Sequence, residues 1–261
     1  GNVHLVSLLG SKDSKHDFIS DSLKENVTAK FFYRDDGPTI VKKRYVSQYQ
    51  NQKLFEINYI NDSHISEEIE SEILAYLESK ISQYDLILVS DFGHGFISDK
   101  IIKLVEAKSK KLAVNAQTNG ANTGYNLITK YSNAQLICLD DPEARLAAQD
   151  KHSEIEDVVK ALQKSINTAF FFVTLGNEGS ICINENGKIN RTPAFATKVV
   201  DIVGAGDALF SYTAPCFALG MPMDVVSFIG NAVGALAVQI VGNKKSVEKH
   251  ELLEFIHTIL K

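Results

Sequence analysis

The chain has no tryptophan, two methionines and five prolines in 261 residues, and only three cysteines. Cys138, Cys182 and Cys216 stand far apart, each among apolar neighbours. That odd, unclustered set excludes a disulfide framework and a cysteine-type zinc site, and predicts small buried hydrophobes in a reducing compartment. No Lys/Arg block interrupts a net charge of −5, so the electrostatic footprint of a nucleic-acid binder is missing. The seven histidines share no metal-ligand spacing, and no Ser–His–Asp or Cys–His set can be assembled. His94 alone falls in a loop suspected of lining a cleft, where a surface or structural place is expected. Gly1 to Gly10 has neither the charged start nor the cleavage site of a secretory signal, and a cytoplasmic location is expected. Val225 to Val241 is uncharged but shorter than the ~20 residues of a bilayer-spanning helix. It also carries Ser227, Gly230, Asn231, Gly234 and Gln239, so it reads as a buried helix, with no membrane as partner.

What is present fits one large α/β domain with room for a small appendage, over residues 1–261, with 44% hydrophobic content for a core. Val3–Leu9 is an apolar run of strand length, and Lys15–Asn26 reads as a helix with Phe18, Ile19 and Leu23 on one face. Phe31–Tyr33, Thr39–Ser47 and Lys53–Tyr59 are β-branched and aromatic, parted by Arg34-Asp35-Asp36-Gly37-Pro38 and by Gln48–Gln52. They predict an antiparallel patch of about three strands, too thin for its own core. We read it as a lid or dimerisation flap at about 31–59. From Ser66, a good N-cap, helix and strand alternate. Leu86–Val89, Leu112–Asn115, Leu136–Leu139 and Phe170–Thr174 are apolar strands, with a helix at Asp99–Ala107 and another running to Ile166 from a Ser153/Glu156 capping box. Ser180–Ile183 and Lys188–Arg191 form a hairpin, and helices Ala205–Leu219, Asp224–Val241 and Lys249–Leu260 follow. This order predicts a mostly parallel sheet covered on both faces, with ligands beyond its carboxyl ends.

Three loops carry the chemistry. In Asp201-Ile202-Val203-Gly204-Ala205-Gly206-Asp207 a β-like segment, Lys198–Ile202, gives way to a helix. Glycine lets backbone N–H groups approach an anion, and a helix start presents unpaired donors. Asp207 in that first turn supplies a base beside the anion, as phosphoryl transfer to an alcohol requires. The run lacks the third glycine of a dinucleotide fingerprint and the Gly-Lys-Ser/Thr of a Walker loop. The second loop, Thr174-Leu175-Gly176-Asn177-Glu178-Gly179, follows a buried strand and reads either as a plain turn or as a phosphate-approaching loop. In the third, Asp140-Asp141-Pro142-Glu143, Asp141 is placed to cap a helix from Pro142 while Asp140 and Glu143 face the cleft, where they could hold Mg²⁺.

Together these loops resemble the PfkB/ribokinase family of carbohydrate kinases. Its carboxy-terminal motif, an Asp, two variable residues and Gly-Ala-Gly-Asp, matches Asp201 to Asp207, and its Thr-Leu-Gly-x-x-Gly loop matches Thr174 to Gly179. The resemblance implies a ribokinase-like three-layer α/β/α fold with a mostly parallel central sheet and a small antiparallel flap. It implies ATP and Mg²⁺, with Asp207 as the base and Gly204, Ala205, Gly206 and Asp207 as the anion-holding loop. Thr174, Gly176 and Gly179 would meet the nucleotide, with adenine between the Gly242-Asn243 loop and the helix carrying Asn231; Glu143 and Asp140 would order the metal. Pro38 to Arg44, Asn51-Gln52-Lys53-Leu54 and Ser90-Asp91-Phe92-Gly93-His94-Gly95 look closest to the heptose-phosphate kinase domain often fused to a nucleotidyltransferase domain. That likeness places Lys42, Arg44 and Asp91 on a sugar-phosphate acceptor, with a homodimer through the flap and a fused or associated nucleotidyltransferase as further partners.

Three departures stand against the family pattern. Asp140 replaces the usual Asn of Asn-x-x-Glu. Asn115-Ala116-Gln117 replaces an Asp-Pro-Lys whose lysine lies near the nucleotide phosphates. The family's front strand and its glycine-and-asparagine segment, which grips the sugar, precede the strand matching Val3–Leu9. Either that segment lies before Gly1 or much of the sugar site is gone. The expected activity is ATP-dependent phosphorylation of a sugar or sugar-phosphate hydroxyl. The alternatives are a nucleotide- or sugar-binding module of the same fold with little turnover, or a nucleoside kinase.

Overall fold

The computed structural model describes residues 1–47, 53–120 and 122–261, and the backbone alone at Asn243. The expected turn at Gln48–Gln52, with the family-like Asn51-Gln52, lies outside these residues. The chain divides into two compact units, Gly1–Ile81 with Gly93–Leu104, and Ser82–Phe92 with Val105–Lys261.

In the first unit β1 (Val3–Lys12) and β2 (Val27–Pro38) run parallel, with Val3 beside Val27 and Gly10 beside Arg34. They are joined over α1 (His16–Ser22), which buries none of its residues and leaves Phe18 75% exposed. A helix without a packing face is marginal, so α1 is shorter than the apolar spacing at Lys15–Asn26 suggested. Then β3 (Val41–Val46) and β4 (Lys53–Tyr59) pair antiparallel, Val41 opposite Tyr59. The expected three-stranded patch is therefore corrected. Phe31–Tyr33 belongs to β2, whose Phe32 and Arg34 are buried, and the flap narrows to two strands. The buried Arg34 is fully engaged, donating to both carboxylate oxygens of Asp36 at 2.6 and 2.9 Å and to Asn61 O at 2.8 Å. Helix α2 (Glu67–Lys80) starts at Ser66, whose Oγ accepts the Ile69 N–H, and buries Ile73. Its Glu70 pairs with Lys100 at 2.6 Å, on α3 (Asp99–Lys108).

The second unit holds β5 (Ile87–Asp91), β6 (Leu112–Ala116), β7 (Leu136–Asp140), β8 (Phe170–Thr174), β9 (Ser180–Asn184) and β10 (Ile189–Thr192), in the sheet order β10-β9-β8-β7-β6-β5. Strands β5 to β8 are parallel; β9 and β10 are antiparallel to their neighbours. Every residue of β6 is buried, as are Leu136–Leu139 and Phe170–Val173, which explains their lack of polar alternation. Helices α4 (Asp141–Ala148) and α5 (Ile155–Ser165) pack on β7, β8 and β9. Helices α6 (Ala205–Ala218) and α7 (Met223–Ala237) cover the face carrying Leu136, Cys138, Phe170, Phe172 and Cys182, through Leu209, Phe210, Ala214 and Val226. A Cβ at Gly230 would meet Thr213 at 2.8 Å and Phe172 at 3.1 Å, so glycine is what brings α7 this close to α6 and β8. Helix α8 (Lys249–Ile259) packs on α7 through Leu252.

Burial raises the thiols of Cys138, to about 12, and Cys182, in keeping with cysteines that act as small hydrophobes. Two local expectations fail. Lys198–Ile202 is not a strand; Val200 and Asp201 instead donate to Val238 O at 2.8 and 3.0 Å. The box from Ser153 does not form, because the Ser153 N–H goes to Asp150 Oδ1 at 3.0 Å and Glu154 precedes α5 without a side-chain bond. Among the described residues no helix is long and apolar enough to cross a membrane.

Candidate active site

Helix α6 begins at Gly204, whose φ of 78° suits a residue without a Cβ. The Ala205 N–H donates to Ile202 O at 3.2 Å and the Ala208 N–H to Gly204 O at 2.9 Å. The Ala205 N–H therefore closes the turn that starts α6. Gly206 is in the first turn, where N–H groups lack intrahelical acceptors, and a Cβ there would meet nothing within 4 Å. Asp207 follows in the same turn.

The carboxyl ends of β6 and β7 converge on Asp207. Gln117 Nε2 donates to Asp207 Oδ1 at 2.5 Å. The next residue, Thr118, donates its N–H to Glu143 Oε1 at 3.0 Å. Glu143 Oε2 accepts the Asp140 N–H at 3.0 Å while Asp140 Oδ1 accepts the Glu143 N–H at 2.7 Å, a reciprocal box that starts α4. Asp140, not Asp141, is thus the cap; Asp141 lies one residue inside the helix and pairs with Arg145 at 2.8 Å. Burial, then the charge of Asp140 and more weakly that of Asp207, pushes Glu143 up to about 7 against two backbone bonds that oppose the rise. Burial also raises Asp140. Among the described residues no group of three or more His, Cys, Asp or Glu forms a metal cage. The pair still fits Mg²⁺ held with few protein ligands: both are carboxylate oxygen donors fixed in place by the reciprocal cap.

The residues expected at the nucleotide separate by their surroundings. Thr174 ends β8 beside Asp140 and opposite Ser180. Gly176 opens a 3₁₀ turn at φ 60° with open space where a Cβ would stand. Gly179 differs, since a Cβ there would lie 2.1 Å from Thr192 O and 2.5 Å from Pro193 C. The close crossing of the chain after β10 dictates that glycine, so its expected contact with phosphate is not needed to explain it. Asn231 is buried, with Nδ2 donating to Ser180 Oγ at 2.6 Å and Ser227 O at 2.8 Å, and so ties α7 to β9. Gly242, at φ 59° in the turn Val241–Asn243, donates its N–H to Asp201 Oδ2 at 2.8 Å, while Asp201 Oδ1 accepts the Val203 N–H at 3.0 Å. The first Asp of the motif is a clamp between the Gly204 turn and the Gly242 turn.

The residues expected at the acceptor differ in their surroundings. Asp91 is 2% exposed, with Oδ2 taking the Tyr131 hydroxyl at 2.7 Å and the Lys130 ammonium at 2.6 Å. Its carboxylate is thus held by Tyr131 and Lys130 in the interior. Asn126 donates to both Asp91 O and Gln117 O, so Asp91 holds the asparagine-rich loop after β6. Lys42 and Arg44 belong to the first unit, on β3, where Arg44 Nε donates to Glu56 Oε2 at 2.7 Å. The buried His94 is also in that unit. The sequence reading missed Gln117, Lys130, Tyr131 and Asn126. Only Gln117 carried a signal, as a departure from the lysine expected there.

The sheet with its covering helices, the glycine-started helix α6 and its carboxylate form an α/β domain with a polar site at the carboxyl ends of its strands. The chain belongs to the pfkB family of carbohydrate kinases, whose profile matches residues 1–250. It is 27% identical over 224 residues to the bifunctional protein HldE of Wolinella succinogenes, covering 85% of this chain and 46% of that protein. It is 25% identical over 257 residues to HldE of Histophilus somni, covering 98% and 52%. The chain thus spans about half the length of the curated relatives it matches. In fold it resembles phosphofructokinase-2 from Escherichia coli, solved with substrates and products, at a TM-score of 0.75 and 15% identity, covering all of this chain and 83% of that one. Arabidopsis thaliana ribokinase, complexed with ribose and ATP, gives 0.72 and 16%, covering 98% and 82%.

Proposed function

We propose that this chain transfers the γ-phosphoryl group of ATP to a hydroxyl of a sugar phosphate of heptose-phosphate type. The observation that carries the reading is the Asp207 carboxylate in the first turn of α6, directly after Gly204 and Gly206 and fixed by Gln117. Asp207 takes the acceptor hydroxyl proton as that oxygen bonds to the γ-phosphorus and the bridge to ADP breaks, while first-turn amides of α6 face the developing charge. Glu143 and Asp140 would hold Mg²⁺, whose chemistry is to neutralise the nucleotide phosphates. Gly176 and the Gly242 turn, braced by Asp201, border the nucleotide, and Lys42 and Arg44 on β3 of the first unit are cations suited to a phosphate. The reducing compartment the free cysteines suit is the cytosol. A homodimer through the flap and a nucleotidyltransferase domain, fused or associated, complete the reading.

The test is Asp207→Asn in the full-length protein with ATP, Mg²⁺ and a panel of a heptose 7-phosphate, fructose 6-phosphate and ribose. Turnover should fall by about 10²–10⁴ with ATP affinity retained. Activity within a few-fold of wild type would remove the base. One observation favours a second reading, a binding module with little turnover: both Glu143 oxygens already accept backbone N–H groups. Calorimetry showing ATP binding without transfer to any panel member would select it.

A further inference from the structure

Gln117, where the family resemblance led to the expectation of a lysine, turns its side chain to Asp207. Its backbone is fixed on both sides: its N–H donates to Asp91 O at 2.8 Å, and its carbonyl accepts from Asn126 Nδ2 at 3.0 Å. The adjoining Thr118 N–H is held by Glu143 at 3.0 Å. Asp91 in turn is locked by Tyr131 and Lys130. The amide that reaches Asp207 is therefore carried on a rigid strand end. Asp207 lies in the first turn of α6, just after the chain turns at Gly204. A catalytic carboxylate needs an outside support in such a place, because a displacement of about 1 Å costs roughly a hundred-fold in rate.

We propose that Gln117 is the positioning residue of this site, holding the Asp207 carboxylate in the orientation that receives the acceptor hydroxyl proton. An amide suits the task, since it donates one directed N–H without adding a full charge. A lysine ammonium at hydrogen-bond distance would favour the ionised carboxylate and weaken it as a base. The inference rests on the reading of Asp207 as base.

Gln117→Leu, close in size but without a donor, should lower kcat by about ten- to a hundred-fold while KM for ATP and for the best acceptor of the panel stay within about two-fold. Gln117→Glu, which opposes Asp207 with a second carboxylate, should lower kcat further. Asp207→Asn is measured beside them. If it is inactive while Gln117→Leu keeps kcat within about two-fold of wild type, the base stands and the positioning role falls. If Asp207→Asn is itself nearly as active as wild type, the base reading fails first. A measurement free of turnover covers variants that do not fold and acceptors that do not react: the assigned Gln117 side-chain amide resonances in wild type and in Asp207→Asn. Displaced resonances support the contact, and unmoved ones overturn the proposal.

Discussion

Glu143 meets two demands at once, since it completes a helix cap and lends its charge to a site already holding Asp140 and Asp207. Its pKa rises from an ordinary 4.5 to about 7. The folded chain therefore binds more protons than the unfolded one between those values, so stability falls as pH rises from the lower to the upper and stays reduced above it. The loss is at most about 3 kcal/mol. Glu143→Gln removes the titration but weakens the cap. In chelator, its thermal stability relative to wild type should improve by about 2 kcal/mol between pH 5 and pH 8. A difference that stays flat with pH would refute the raised pKa. Glu143 and Asp207 were legible in the sequence because their spacing from proline and glycine is local. Gln117 was not, because its partner lies ninety residues away on another element.

At the scale of elements, glycines and caps sort the loops. The sequence shows that Gly176, Gly179, Gly204 and Gly242 sit in turns, yet it cannot show which of them serves a ligand. Gly179 is required by Thr192, brought against it only when β10 closes the sheet edge, whereas Gly206 faces open space. The cap shifted by one residue, from Asp141 to Asp140, because β7 runs through Asp140 and α4 starts directly after it. Asp201 joins two turns that are distant in sequence, so releasing it should act on the nucleotide side. Asp201→Ala, losing two charge-assisted bonds, should raise KM for ATP about ten-fold with kcat nearly unchanged, as steady-state kinetics will show. An equal fall in kcat with KM untouched would place Asp201 with the base instead.

At the scale of the whole molecule, the flap is the least self-sufficient part. An isolated two-stranded pair is marginal in water, and β4 leaves Leu54 65% and Phe55 52% exposed, with Ile57 and Tyr59 also outward. If a second copy covers the face carrying Phe55, Ile57 and Tyr59, Ile57→Asp should turn a dimer into a monomer in analytical ultracentrifugation without loss of secondary structure. A wild-type monomer at micromolar concentration would remove the flap dimer. The sequence by itself determined the α/β alternation, the buried parallel strands and the carboxylate after Gly-Ala-Gly, because periodicity and turn chemistry act over a few residues. Tertiary structure decided that β2 pairs with β1 rather than the flap, that Asp91 turns inward to Lys130 and Tyr131, and that Gln117 meets Asp207. Those outcomes depend on which chain segments share a core, and no local pattern carries that information.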